Sequence, residues 1–206
     1  MKTTLIFAFS LCVLMLASCA GPVYIAKDET DGIKTSYQDP GLSDLCTKYR
    51  PVLSQIYRRY QAAGIDVYPN GIGFASVSDG QGKKHTYLLV QVRPRNIMFG
   101  QVQTKPDERF SEVFKHHFEK NLRYLKTEDV GMNDVDGVAF GVYWPVRDLS
   151  QCDEHGGFIE YTIVYLPKSK FIDLAEKRAT LSEAIENAEV ITSLGQQPAK
   201  AVKIVE

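Results

Sequence analysis

The chain has no surplus of either charge. Its 24 Lys and Arg stand against 25 Asp and Glu, a formal net charge of −1 over 206 residues. Nucleic-acid binders normally carry a basic excess on one face, so no nucleic-acid partner is expected. A polybasic membrane patch and an acidic tail are excluded by the same balance. Glycine and proline are sparse, 15 and 9, which rules out collagen-like and low-complexity chains. Cysteine is rarer still, with four residues and no C-x-x-C pair, so no metal site is expected. Also missing are G-x-S-x-G, H-E-x-x-H, a Walker loop and a glycine fingerprint between a strand and a helix. Gly71-x-Gly73 falls inside a strand pattern and reads as room for close packing. Neither a cofactor nor an enzyme activity is expected. What the chain does have is a normal apolar share, 44%, with 11 Tyr and 10 Phe. That suits one ordinary globular domain and excludes disorder.

One apolar run is conspicuous, and it lies at the start. Residues 1–19 read MKTTLIFAFSLCVLMLASC. Lys2 is followed by an almost unbroken apolar stretch over residues 5–16, short of the ~20 residues that span a bilayer. A basic start, a short apolar middle and a small-residue end describe a secretory signal peptide. Leu16-Ala17-Ser18-Cys19 resembles the lipobox of bacterial lipoprotein precursors. The resemblance implies a signal peptide over residues 1–18, cleavage before Cys19, and a diacylglyceryl thioether on the Cys19 sulfur. Each buried acyl CH₂ adds roughly 0.8 kcal/mol, so two or three chains, palmitate among them, would hold the protein on a membrane. Ala20 stands where Asp would retain such a lipoprotein on the inner membrane. The implied address is therefore the outer membrane, facing the periplasm, with other envelope proteins as partners.

Cys12 leaves with the signal peptide and Cys19 is taken by lipid. Cys46 and Cys152 remain, and an oxidising compartment favours their pairing. A disulfide closing so long a loop is worth up to ~4–5 kcal/mol in the chain-entropy picture. The alternative is two independent thiols packed as small hydrophobes.

Residues 19–42 mix Gly, Pro, Asp, Thr and Ser without a period and read as a lipid-anchored tether. As a flexible coil they would reach roughly 25 Å. A single domain is expected over 43–206. Ser43 is a candidate N-cap, and Leu45, Tyr49, Val52, Leu53, Ile56, Tyr57 and Tyr60 follow at helical spacing as far as Gly64. Pro51 either kinks that helix or starts a second one. Strands are expected over 70–77 and 85–93, a helix from Lys105-Pro106-Asp107 onward, and strands over 137–144 and 158–166. A capping box, Thr180-x-x-Glu183, opens a helix over 181–190, and a basic and apolar tail occupies 200–205. Helix, strand and strand recur, so 43–95 and 106–167 read as two units of one duplicated pattern. The expected fold is α+β: an αββαββ order forming an antiparallel sheet with helices on one face, plus a C-terminal helical segment.

Ile72, Phe74, Leu88, Val90, Val92, Val138, Phe140, Val142, Val164 and Leu166 alternate as the helix-facing side. The other side is not simply polar. Small residues (Gly73, Ala75, Ala139, Gly141) neighbour Tyr87, Tyr143, Tyr161 and Tyr165, which together form a candidate binding face. The competing expectation is that residues 168–206 fold back over it.

Four further candidates carry chemistry. Cys152-Asp153-Glu154-His155 groups a thiol with an imidazole, as a nucleophile would need. His116 and His117, adjacent on a helix, cannot chelate together, and His117 reads as a packed edge residue. Asp129, Asn133, Asp134 and Asp136 miss the calcium-loop spacing and read as a turn. Tyr57-Arg58-Arg59-Tyr60 and Arg93-Pro94-Arg95 could meet phosphate or an anionic glycan. The leading expectation is a lipid-anchored envelope protein that acts as a binding or assembly module. A periplasmic ligand or glycan carrier using the tyrosine face is the first alternative, and an envelope hydrolase using the Cys152–His155 loop the second.

Overall fold

The computed structural model describes residues 25–78, 81–147, 157–186, 188–193 and 200–202. The expected signal peptide over residues 1–18, Cys19, Cys152 and His155 lie outside these residues. The fold is α+β, with one sheet of seven strands that runs in spatial order through residues 66–78, 84–93, 137–147, 157–167, 189–192 and 200–202, with a short strand at 99–100 beside 137–147.

The expected tether is not one over its second half. Asp28 caps a short helix, α1 (Glu29–Gly32), by accepting from the Asp31 amide at 3.0 Å. Ile33 then bridges Ile72, and the Lys34 amide donates to the Ile72 carbonyl at 2.8 Å. Ala26 and Ile33 are buried, Ile33 completely. Three small or apolar residues suffice here, because Gly32 lets the Tyr57 ring sit where a Cβ would stand, 2.5 Å away. The Tyr37 hydroxyl accepts from the Phe74 amide at 3.0 Å. This segment thus covers an edge that would otherwise be open to pairing.

The first long helix is two. Asp39, not Ser43, caps α2 (Pro40–Lys48), accepting from the Gly41 amide at 2.9 Å, with Pro40 at the first helical position. Pro51 starts α3 (Arg50–Ala62) within its first turn, where no intrahelical bond is lost. α3 buries Leu53, Ile56, Tyr57 and Tyr60 and stops at Gly64, whose φ is +70°.

β1 (Asp66–Ser78) and β2 (Lys84–Arg93) form an antiparallel hairpin whose register shifts between Val67 and Ile72, beside Asn70 at φ 56°. Beyond β3 (Phe99–Gly100) run α4 (Pro106–Val113), a π-helical turn (Phe114–Phe118), α5 (Glu119–Leu122) and a 3₁₀ turn (Thr127–Val130). β4 (Gly137–Arg147) and β5 (Gly157–Pro167) make the second antiparallel hairpin. β2 and β4 pair in parallel. A helical crossover returns the chain to the end at which β2 began, so neighbours joined through it must run the same way. The sheet is therefore mostly antiparallel, with a parallel join between its two hairpins.

The C-terminal segment differs from expectation. An additional helix, α6 (Lys168–Ala175), follows β5 directly. The Thr180–Glu183 capping box is present, yet its helix, α7 (Leu181–Ile185), ends early. The β-branched Val190, Ile191 and Thr192 instead form β6 (Glu189–Thr192) on the edge of β5. The tail continues as β7 (Lys200–Val202) on β6.

The core lies between the helices and one sheet face. Leu53, Ile56 and Tyr60 of α3 share one buried cluster with Ile72, Phe74, Leu88 and Val90, and Phe118 meets Phe140 edge-on at 5.2 Å. Phe110, Phe114 and Phe118 stack along α4 and the π turn at 5.8 and 5.1 Å.

The candidate functional site

Alternation puts the opposite set of side chains on the other face of the sheet. Leu89, Ala139 and Ile163 are buried there, with Ala75, Tyr87, Tyr161 and Tyr165 packed half-buried around them. The four expected tyrosines do share this face. The expected cover does not lie on it among the described residues. Phe171 of α6 and Ala184 and Ile185 of α7 belong to the helix-side core. β6 and β7 widen the sheet rather than crossing it. Helices this short and amphipathic bury one stripe only, and the larger apolar surface was on the helix side.

The tyrosines are ordered. Tyr68 stacks on Tyr143 at 4.3 Å and 22° between planes, and Tyr143 on Tyr161 at 5.1 Å and 25°. Tyr87 meets Tyr165 edge-on at 5.2 Å and 82°. The Gln91 side-chain amide donates to the Tyr143 hydroxyl at 2.8 Å. A Cβ on Gly141 would come within about 3.1–3.3 Å of Ile163, Gln91 and Tyr143, so a bare backbone at that position lets these groups close over it. Burial pushes the Tyr143 phenol well above its ordinary range, reinforced by neighbouring Tyr68, Tyr161 and Tyr165. Burial also raises Tyr165, with Glu189 the next cause, and Tyr87, with Asp136. The sequence reading missed Tyr68 because it began the first strand at Asn70. The available signal was the valine–tyrosine alternation at 67 and 68, which continues past the bulge.

Stacking decides what this ladder can offer. The inner ring faces are taken by one another and Tyr143 is itself buried, so the ladder meets solvent at the half-buried Tyr68 and Tyr161. A sugar ring stacks on an open aromatic face, and the stack leaves none of its inner faces open. Edges with hydroxyls instead suit the mixed apolar and hydrogen-bonding contacts of a protein interface.

The other candidates disperse. Arg58 pairs with Glu29 at 3.2 Å, and Arg59 with Asp129 while also donating to the Tyr124 carbonyl. Tyr60 is buried and donates to the Asn121 carbonyl at 3.0 Å. The Tyr57–Tyr60 motif is thus committed to internal partners rather than to an external anion. Asp129, Asp134 and Asp136 do not converge: Asp134 takes Lys48 and Tyr49, each at 2.7 Å, and Asp136 takes the Thr86 amide. Among the described residues no three His, Cys, Asp or Glu side chains group as a metal site. His116 is exposed beside Glu112. His117 is not simply packed but lines a cleft. Cys46 is buried, and its thiol donates to the Lys34 carbonyl at 3.1 Å. Its expected partner Cys152 and the rest of the Cys152–His155 group lie outside the described residues.

A second feature escaped sequence reasoning. Glu160, wholly buried on the helix side of β5, accepts from Arg109 Nε at 2.8 Å, Arg109 Nη2 at 2.6 Å and Trp144 Nε1 at 2.9 Å. Arg109 Nη1 also donates to the Thr104 carbonyl. A carboxylate at an inward position of the alternation was the only hint. The cluster ties the start of α4 to the second hairpin.

No protein-family model, curated protein or solved structure matches the chain, so the residues and their geometry carry the functional argument.

Proposed function

We propose that this protein is a lipid-anchored binding or assembly module of a bacterial envelope, held at the outer membrane through Cys19 and engaging a partner protein with the tyrosine face of its sheet. The lipobox resemblance supports the anchor, and Ala20 supports the address. The observation that carries the binding role is the Tyr68–Tyr143–Tyr161 stack on a sheet face that no helix covers among the described residues. An antiparallel sheet with a free face normally presents polar residues there. Aromatic edges over a buried Leu89, Ala139 and Ile163 patch instead resemble the centre of an interface.

Two measurements test the parts separately. Fatty-acid labelling in cells should mark the wild type and not Cys19→Ser, and equal absence of label in both would remove the anchor. A photo-crosslinking residue at Tyr161 should yield an adduct of one defined mass. The same residue at Lys115, exposed on the helix side, should not. Equal yields, or none at Tyr161, would remove the binding face.

A further inference from the structure

On the helix side, away from the tyrosine face, α3 ends, β2 leaves the sheet and the π turn passes, and a cleft of about 230 Å³ opens between them. Water takes ~30 Å³ per molecule in the liquid, so the space suits a small ligand. Gly64 lines one wall, Arg95 and Asn96 a second, and His117, Lys120 and Asn121 a third. Three of the lining residues are bases and none is an acid.

The bases are held differently. Arg95 places Nε and Nη2 on one oxygen of Asp66, at 2.9 and 2.7 Å. That anchors the guanidinium and leaves Nη1 without a hydrogen bond among the described residues. Asn121, buried, donates its amide to the His117 carbonyl, closing a backbone group in the widened turn. His117 is therefore positioned through its own backbone, while its ring has no partner among the described residues. The same holds for the Lys120 ammonium. A guanidinium, an imidazole and an ammonium around one concavity, with no carboxylate lining it, are the donor set that oxyanions take.

We propose that this cleft binds a small oxyanion, a phosphate or phosphomonoester, through Arg95, His117 and Lys120. Binding is linked to protonation of His117. Burial, then Lys120 and His116, hold the free imidazole below its usual range, and Glu112 opposes them. From β2's exit, Arg95 adds a charge already shared with Asp66. A bound oxyanion favours the imidazolium, so binding should raise the titration midpoint of the His117 ring.

The test uses the full chain and two free probes, inorganic phosphate and glycerol 3-phosphate, with binding followed by the His117 ring NMR signals and by calorimetry. Vesicles of anionic phospholipid at equal phosphate concentration form the third arm. Binding should shift the His117 ring titration to higher pH and should be about tenfold weaker in Lys120→Gln, the loss expected for one charge-assisted contact. A response to vesicles alone, lost in Lys120→Gln, keeps the oxyanion site and assigns it to a lipid headgroup. No response to any probe at millimolar concentration overturns the proposal, as does an affinity indifferent to both Lys120→Gln and His117→Asn. Tyr161→Ala should leave phosphate binding unchanged, which separates this site from the tyrosine face.

Discussion

The Tyr143 phenol accepts a hydrogen bond from Gln91 within a stack of rings that keeps its own edge largely from water. Tyr143→Phe removes that acceptor and leaves the amide to find another, which should cost about 1 kcal/mol in urea unfolding. Burial raises several phenols: Tyr37 is pushed up to about 12, and Tyr143 and the fully buried Tyr60 are also raised. In the unfolded chain the same groups ionise near 10. The folded state therefore holds its protons longer, and the stability these phenols contribute is complete below pH ~10 and declines above it. A urea midpoint that stays level from pH 7 to 9 and drops between 10 and 12 would bear this out. Phenolate absorbance should lag behind a free-tyrosine titration over the same interval.

At the scale of elements, the Arg109–Glu160–Trp144 cluster joins α4 to β4 and β5. A buried pair of this kind repays its desolvation only while both members are present. Arg109→Met alone should therefore cost about 3–5 kcal/mol, by leaving the Glu160 carboxylate buried beside Trp144 without its ion-pair partner. Adding Glu160→Leu should restore much of that loss, because packed apolar groups carry no charge to desolvate. A double variant no more stable than the single one would show that the pair contributes directly. The segment before α2 makes the opposite point about composition. It is polar and irregular, yet Ile33 is wholly buried against β1. Ile33→Ala should destabilise the domain by about 2–5 kcal/mol, as in any packed core. A true tether would give a change near zero in the same unfolding experiment.

For the whole molecule, an asymmetric sheet is the fact from which function is argued. One face carries the helices and the large core, and the other carries an edge-on aromatic ladder with no helix across it among the described residues. No helix among these residues is long and apolar enough to cross a membrane, and the proposed attachment is through Cys19. Cys19→Ser should release the protein from the membrane fraction while leaving its urea midpoint unchanged, because the described core is built from Ala26 onward.

Local periodicity was enough to read the two helix–hairpin units and the class of the fold. Tyr87, Tyr143, Tyr161 and Tyr165 could be assigned to one face because side chains in a strand alternate whatever the strand's neighbours are. Alternation does not say which strands pair, and the parallel join of β2 to β4 came only with the path of the crossover. Nor does it say where a short helix will find its apolar surface, which is why α6 and α7 lie on the core side. Tyr68 joins the ladder through a bulge, Ile33 finds Ile72 far along the chain, and Arg95 meets His117 and Lys120 around one cleft. Such contacts join residues distant in sequence, and their energies depend on three-dimensional closeness that no local pattern records.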